Sequence, residues 1–167
     1  MNKEKSLEAE IGNLLRKKGL KLVLAESCTG GLLSHLITSV AGSSEYFLGS
    51  LVSYSYEAKE EWLGVKRATL QGYGAVSRET VLEMARGARQ ALKKHFPIQS
   101  IIGLSVSGVA GPGGGTPEKP VGTVWIGLSA ADQEFARHFL WEGDREENKN
   151  QSAQAALITL LDFLQAK

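Results

Sequence analysis

The stretch Ala25-Glu26-Ser27-Cys28-Thr29-Gly30-Gly31 constrains this chain more than any other. It follows the apolar run Leu22-Val23-Leu24 and precedes Leu32 to Val40, where apolar residues recur at helical spacing. Strand, glycine-rich turn and helix in that order form the basic unit of an α/β sheet. The unit aims the backbone N–H groups of the turn, and the positive end of the helix dipole, at one point above the strand. An anion belongs at that point. A small anionic substrate is therefore the first expectation, with Thr29, Gly30 and Gly31 as its donors. Ser27, Cys28 and Thr29 add two hydroxyls and a thiol to the same turn.

The remaining pattern agrees with an α/β chain. Ser6 can cap a helix bearing Leu7, Ile11, Leu14 and Leu15, with Gly19 as its stop. Phe47 to Tyr54 reads as a second strand and Glu57 to Leu63 as a short helix stopped by Gly64. Gly72-Tyr73-Gly74 reads as a turn, after which Ser77 caps a long helix carrying Val81, Met84, Ala88 and Leu92. Ile101 to Val106 is a buried strand, residues 108–119 a Gly/Pro-rich loop, and Val121 to Leu128 and Phe135 to Trp141 two further strands. A helix from Ala153 to Leu164 closes the chain. Helices and strands alternate early, and two strands run consecutively late. That order predicts a three-layer α/β/α fold with a mixed, mostly parallel sheet and one antiparallel member.

The chain has 167 residues, a single cysteine and a net charge of +1. One domain, 1–167, is the default at this length, and no internal disulfide is possible. A near-neutral balance argues against nucleic acid as the main ligand. No apolar run approaches a membrane span, and the Lys/Glu-rich start lacks a signal-peptide core, so a cytoplasmic protein is expected. His35, His95 and His138 have no ligand partner at helical spacing, so no metal site is expected. The loop 108–119 ends in Thr-Pro-Glu-Lys, so it is not a nucleotide P-loop, and no cofactor is expected.

Nucleophilic catalysis fits the residues better. Ser27, Cys28, Thr29, Ser43 and Ser44 all lie near Gly-rich turns, but no histidine follows to act as a base. Lys59 can serve as base if burial lowers its pKa toward neutrality, and Tyr54 nearby can relay a proton. Cys28 lacks a partner and is expected to be a small buried apolar residue. The glycine loop, with Gly108, Ala110 and Gly111, is expected to wall a pocket, because glycine lets main chain approach a substrate closely.

Taken in order, the segments from Ala25 to Gly31, Ala41 to Ser44, Tyr54 to Lys59, Ser107 to Gly115, Lys119 to Trp125 and Gly143 to Arg145 resemble the CinA C-terminal domain family, whose stand-alone members include nicotinamide mononucleotide deamidases. The resemblance runs from about Leu7 to about Leu164. It implies a five-stranded mixed sheet and a metal-free, cofactor-free amidohydrolase that converts nicotinamide mononucleotide to nicotinate mononucleotide and ammonia. It implies a Ser–Lys–Tyr catalytic set filled here by Ser44, Lys59 and Tyr54. Ser27 is the rival nucleophile or a substrate contact, and Arg145 a phosphate contact. Family members often carry further arginines after this point, where this chain has Lys149 and Asn150. The family's tendency to self-associate implies a homo-oligomer, and the early first strand implies that the domain preceding this one in many CinA proteins is absent. Two other readings stand beside it: a non-catalytic interaction module linked to competence or DNA damage, and an amidase or esterase for a related small phosphate ester.

Overall fold

The computed structural model describes residues 6–166. Ser6 caps α1 (Leu7–Lys18) by accepting from the Ala9 N–H, and Gly19 ends the helix in the left-handed conformation. β1 (Lys21–Glu26) and α2 (Leu32–Thr38) follow, then β2 (Phe47–Val52) and α3 (Tyr56–Leu63). The chain continues through α4 (Arg67–Tyr73), α5 (Arg78–Ala91), β3 (Ile101–Gly108), β4 (Thr123–Ser129), β5 (Glu134–Leu140) and α6 (Arg145–Gln165).

The five strands form one sheet in the order β2-β1-β3-β4-β5. β1 pairs in parallel with both β2 and β3, whereas β4 is antiparallel to β3 and to β5. β4 is thus the single strand that runs against the others, as the alternation of elements implies.

β1 is buried on both faces, which is why it reads as a continuous apolar run. Leu22 and Leu24 enter a core with Ile11 and Leu15 of α1, Leu33 and Ile37 of α2, and Leu157 and Leu160 of α6. Val23 and Ala25 enter a second core with Leu63 of α3, Leu70 of α4 and Met84 and Ala88 of α5. α5 lies unusually close to the sheet. A Cβ at Gly103 would come within 2.0 Å of the Ala85 carbonyl oxygen, and one at Gly127 within 2.5 Å of that of Val81. No helix among the described residues is long and apolar enough to cross a membrane.

Three elements differ from the sequence expectation. α4 occupies a stretch with no helix expected, and only its end, Gly74 at φ +77°, is the turn that Gly72-Tyr73-Gly74 announces. α6 begins at Arg145 rather than at Ala153, because Asp144 and Glu147 form a reciprocal capping box there. β2 stops at Val52, so Tyr54 lies beyond the strand, on the connection into α3.

Candidate active site

β1, β2 and β3 are parallel, so the segments leaving their C-terminal ends meet on one edge of the sheet, where open α/β sheets hold their ligands. The chain leaves β1 through Ser27, β2 through Ser53 and Tyr54, and β3 through Val109. Ser55 caps α3 by accepting from the Ala58 N–H. That sets the register in which Lys59 and Leu63, one turn apart, point inward together.

Lys59 has no exposed surface. Its Nζ donates to the Ser53 carbonyl at 2.7 Å and to Ser27 Oγ at 2.9 Å, with a longer contact of 3.5 Å to the Tyr54 carbonyl. No carboxylate pairs with it among the described residues. Desolvation by burial therefore dominates, and the opposing influence of the Cys28 thiol is smaller; the ammonium pKa is drawn down to about 8. A lysine that loses its proton near neutrality, within hydrogen-bond reach of a serine hydroxyl, is a base–nucleophile pair.

The partner of Lys59 is Ser27 and not Ser44, which corrects the expected pairing. Ser44 is exposed, in the short 3-10 turn Ser43–Glu45 that precedes β2. Leu22 faces Phe47 at one end of the parallel ladder and Glu26 faces Val52 at the other. Ser44 is therefore at the entry edge of the sheet and Lys59 at the exit edge, about 16 Å of strand apart at the usual rise per residue.

The turn after β1 also differs from expectation. Glu26, completely buried, already supplies the anion at the start of α2. Its Oε2 accepts from Thr29 Oγ1 at 2.7 Å, Gly31 N at 3.0 Å and Leu33 N at 3.1 Å. Its Oε1 accepts from Ser34 N at 2.9 Å and Ser50 Oγ at 3.1 Å. The Gly30 N–H is used by the Ser27 carbonyl at 3.1 Å. The Thr29 hydroxyl and the Gly30 and Gly31 N–H groups are thus already taken and not free for a substrate phosphate; the carboxylate preceding the turn is the signal for this. The N–H groups of Cys28 and Thr29, by contrast, carry no hydrogen bond among the described residues.

Cys28 is 5% exposed, and desolvation pushes its thiol up to about 12. It is a thiol, not a thiolate nucleophile, at any ordinary pH. Cys28→Ala is expected to leave turnover within about threefold of wild type and to lower stability by about 1 kcal/mol, as for a small buried group. A kinetic assay beside a denaturant titration checks both; lost chemistry at unchanged stability would make the thiol a participant.

Above Ser27 lies a cavity of about 250 Å³ walled by Tyr54, Val76, Ser107, Gly108 and Ala110. Ala75 and Val76, between α4 and α5, carry no sequence signal for a site. Ser107 holds this segment by donating to the Ala75 carbonyl at 2.8 Å, and Tyr56 Oη accepts from the Ala75 N–H at 3.3 Å. The glycine loop is tied to α6 by Asn148, whose Nδ2 donates to the Ala110 carbonyl at 3.0 Å. Arg145 donates from Nη1 to the Gly111 carbonyl at 2.6 Å and from Nη2 to Tyr54 Oη at 3.1 Å. Beyond Arg145 opens a groove of about 840 Å³ that includes Pro112, Val121 and Lys149. Lys119 is turned away, donating to the Tyr73 carbonyl. Ser27, Tyr54, Gly108, Ala110, Gly111 and Arg145 are therefore gathered around one cavity, with Lys59 buried behind Ser27, and Ser44 is not among them.

The same arrangement of elements is found in known proteins. The model of the CinA C-terminal domain matches residues 4–164. A putative competence-damage inducible protein of Moorella thermoacetica is 48% identical over 162 residues, 97% of this chain and 38% of that protein. A CinA-like protein of Salinibacter ruber is 46% identical over 152 residues, 91% of this chain and 35% of that protein. The chain thus spans well under half the length of these relatives. Among solved structures, a CinA superfamily protein of Klebsiella pneumoniae superposes with a TM-score of 0.87 at 32% identity, covering 96% of this chain and 97% of that one. The competence/damage inducible protein CihA of Agrobacterium tumefaciens gives 0.80 at 36% identity, covering 93% and 96%. A family match over nearly the whole sequence, carried by a fold shared from α1 to α6, establishes that the chain belongs to the CinA C-terminal domain family.

Proposed function

We propose that this domain is a metal-free amidohydrolase acting on nicotinamide mononucleotide, returning nicotinate mononucleotide and ammonia to pyridine nucleotide metabolism. The observation that carries the reading is the buried, unpaired Lys59 amine 2.9 Å from Ser27 Oγ. A non-catalytic module has no need of a desolvated lysine against a serine.

In the mechanism, neutral Lys59 accepts the Ser27 proton as Ser27 Oγ attacks the carboxamide carbon. The negative charge passes to the carbonyl oxygen, and the N–H groups of Cys28 and Thr29, unpaired among the described residues, are available to stabilise it. Collapse of the tetrahedral adduct breaks the C–N bond. Lys59 returns the proton to the departing nitrogen, with Tyr54 Oη assisting, and ammonia leaves. Water then attacks the acyl-serine with Lys59 again as base, which releases the carboxylate and restores Ser27. The phosphate falls to Arg145 and Lys149, one helical turn apart on the cleft side of α6 and without carboxylate partners among the described residues.

Ammonia and nicotinate mononucleotide are expected to appear one for one when the chain is incubated with nicotinamide mononucleotide. Ser44→Ala is expected to keep that rate within about twofold, as a surface change away from the site. No ammonia from wild type would overturn the substrate assignment, and a dead but folded Ser44→Ala would overturn the placement of the nucleophile.

A further inference from the structure

The cavity over Ser27 and the groove along α6 share three residues, Ala110, Gly111 and Arg145. At about 250 Å³ the cavity alone is smaller than the roughly 300–1,000 Å³ common for small-molecule sites. A substrate must therefore occupy both spaces, and Arg145 stands between them. Its guanidinium bridges the walls, one nitrogen on the Gly111 carbonyl of the glycine loop and the other on the Tyr54 hydroxyl. Both acceptors are neutral, and no ion pair competes for the guanidinium among the described residues.

Building on the amidohydrolase reading, we propose that Arg145 is a latch that an anionic group on the substrate opens. A guanidinium bonds a phosphate in a bidentate, charge-assisted manner, about twice as strongly per bond as it bonds a neutral acceptor. A phosphate lodged between Arg145 and Lys149 takes the same two nitrogens that now hold Gly111 and Tyr54. The anchor on Ala110 from Asn148 is separate, so the loop is freed only from Gly111 onward, where Gly113, Gly114 and Gly115 give it slack. Release joins cavity to groove and lets Tyr54 Oη turn toward the departing nitrogen. Arg145 thereby acts as a positioning residue through Tyr54 and the loop. Selectivity for anionic substrates is then expressed in the chemical step and not in binding alone.

The test uses p-nitrophenyl acetate, a small uncharged ester that reports acylation of Ser27 by release of p-nitrophenolate. In wild type, added inorganic phosphate is expected to accelerate acylation about five- to tenfold, a shift typical of coupling between two bound groups. Arg145→Ala is expected to acylate at the accelerated rate with or without phosphate. Arg145→Gln, which keeps polar reach without charge, is likewise expected to be insensitive to phosphate. With nicotinamide substrates, Arg145→Ala is expected to raise kcat for the riboside toward that for the mononucleotide, narrowing the difference between them. Equal, phosphate-insensitive acylation of wild type and Arg145→Ala would overturn the latch while leaving the amidase reading untouched. Ester acylation needs no nicotinamide turnover, so the latch stands or falls on it even where the mononucleotide proves not to be the substrate. Failure of mass spectrometry to find the acetyl group on Ser27 in either protein would remove the nucleophile and the latch together.

Discussion

Lys59→Met is expected to lower kcat/KM by about three to four orders of magnitude, the upper range for loss of a general base, equivalent to about 4–5.5 kcal/mol of transition-state stabilisation. Ser27→Ala is expected to fall at least as far. The double variant should be about as inactive as either alone, because the two groups act as one unit. With the Lys59 pKa at about 8, activity should rise as pH passes from 7 to 9 and the amine loses its proton. The same burial has an opposite effect on stability. The folded-state pKa is about 8 against 10.5 for a free lysine, so between those values the unfolded chain holds more protons and stability rises with pH. Below pH 8 both states are protonated and the whole penalty, on the order of 3 kcal/mol, is present. Methionine does not incur that penalty, although it loses the bonds to Ser27 and to the Ser53 carbonyl. The variant should therefore melt no lower than wild type at pH 7, with any advantage shrinking as pH rises toward 10.5. A folded Lys59→Met with near-normal turnover, or a sharply destabilised one, would refute this account.

Glu26→Ala should be the most destabilising single change near the site. It strips acceptors from three backbone N–H groups in the first turn of α2 and from the Thr29 and Ser50 hydroxyls. A buried donor left unmade costs about 1–3 kcal/mol. Hydroxyls can turn to new partners and backbone N–H groups cannot, so the three amides set a loss of about 4 kcal/mol or more, a large share of an ordinary domain's stability. Glu26→Gln keeps one oxygen for the Thr29, Gly31 and Leu33 donors. Its amide nitrogen must face the Ser34 N–H, so a loss of about 1–3 kcal/mol is expected. Urea titration measures both. A Glu26→Ala midpoint close to wild type would mean that water reaches these donors and that the carboxylate does not organise the turn.

Much of this was legible in the residues. The strand–turn–helix at Ser27 and the single reversed strand follow from the apolar runs and their order, because β1 is buried on both faces and two strands succeed each other without a helix between. The burial that a basic role for Lys59 requires follows from the register that Ser55 sets. The position of Ser44 is not legible in the same way, because nearness in sequence to Lys59 says nothing about which end of a parallel strand a residue occupies. The parallel rule itself contained the answer: Ser27 and Lys59 both follow strands, whereas Ser44 precedes one. Glu26 escapes a reading of the turn for its donors alone, because its carboxylate precedes them in the chain. The Asp144 and Glu147 capping box was readable, and would have started α6 at Arg145. Nothing in Ala75 or Val76 announces a wall; only the packing of α5 on the sheet brings them there.

The position of β1 in the sheet also governs how the molecule assembles in time. On one side Leu22 faces Phe47, a neighbour only a helix away in the chain; on the other it faces Ile102. The sheet's central seam cannot close until β3 has been synthesised or collapsed into place, and Gln165 at the far end of α6 then bonds Glu10 of α1. Contacts between such distant segments make folding slow relative to helical bundles of similar size. Until the seam closes, β1 has a bare edge of unpaired N–H and C=O groups, and the cavity over Ser27 is incomplete. The candidate site is therefore completed late in folding, when the two halves of the chain meet.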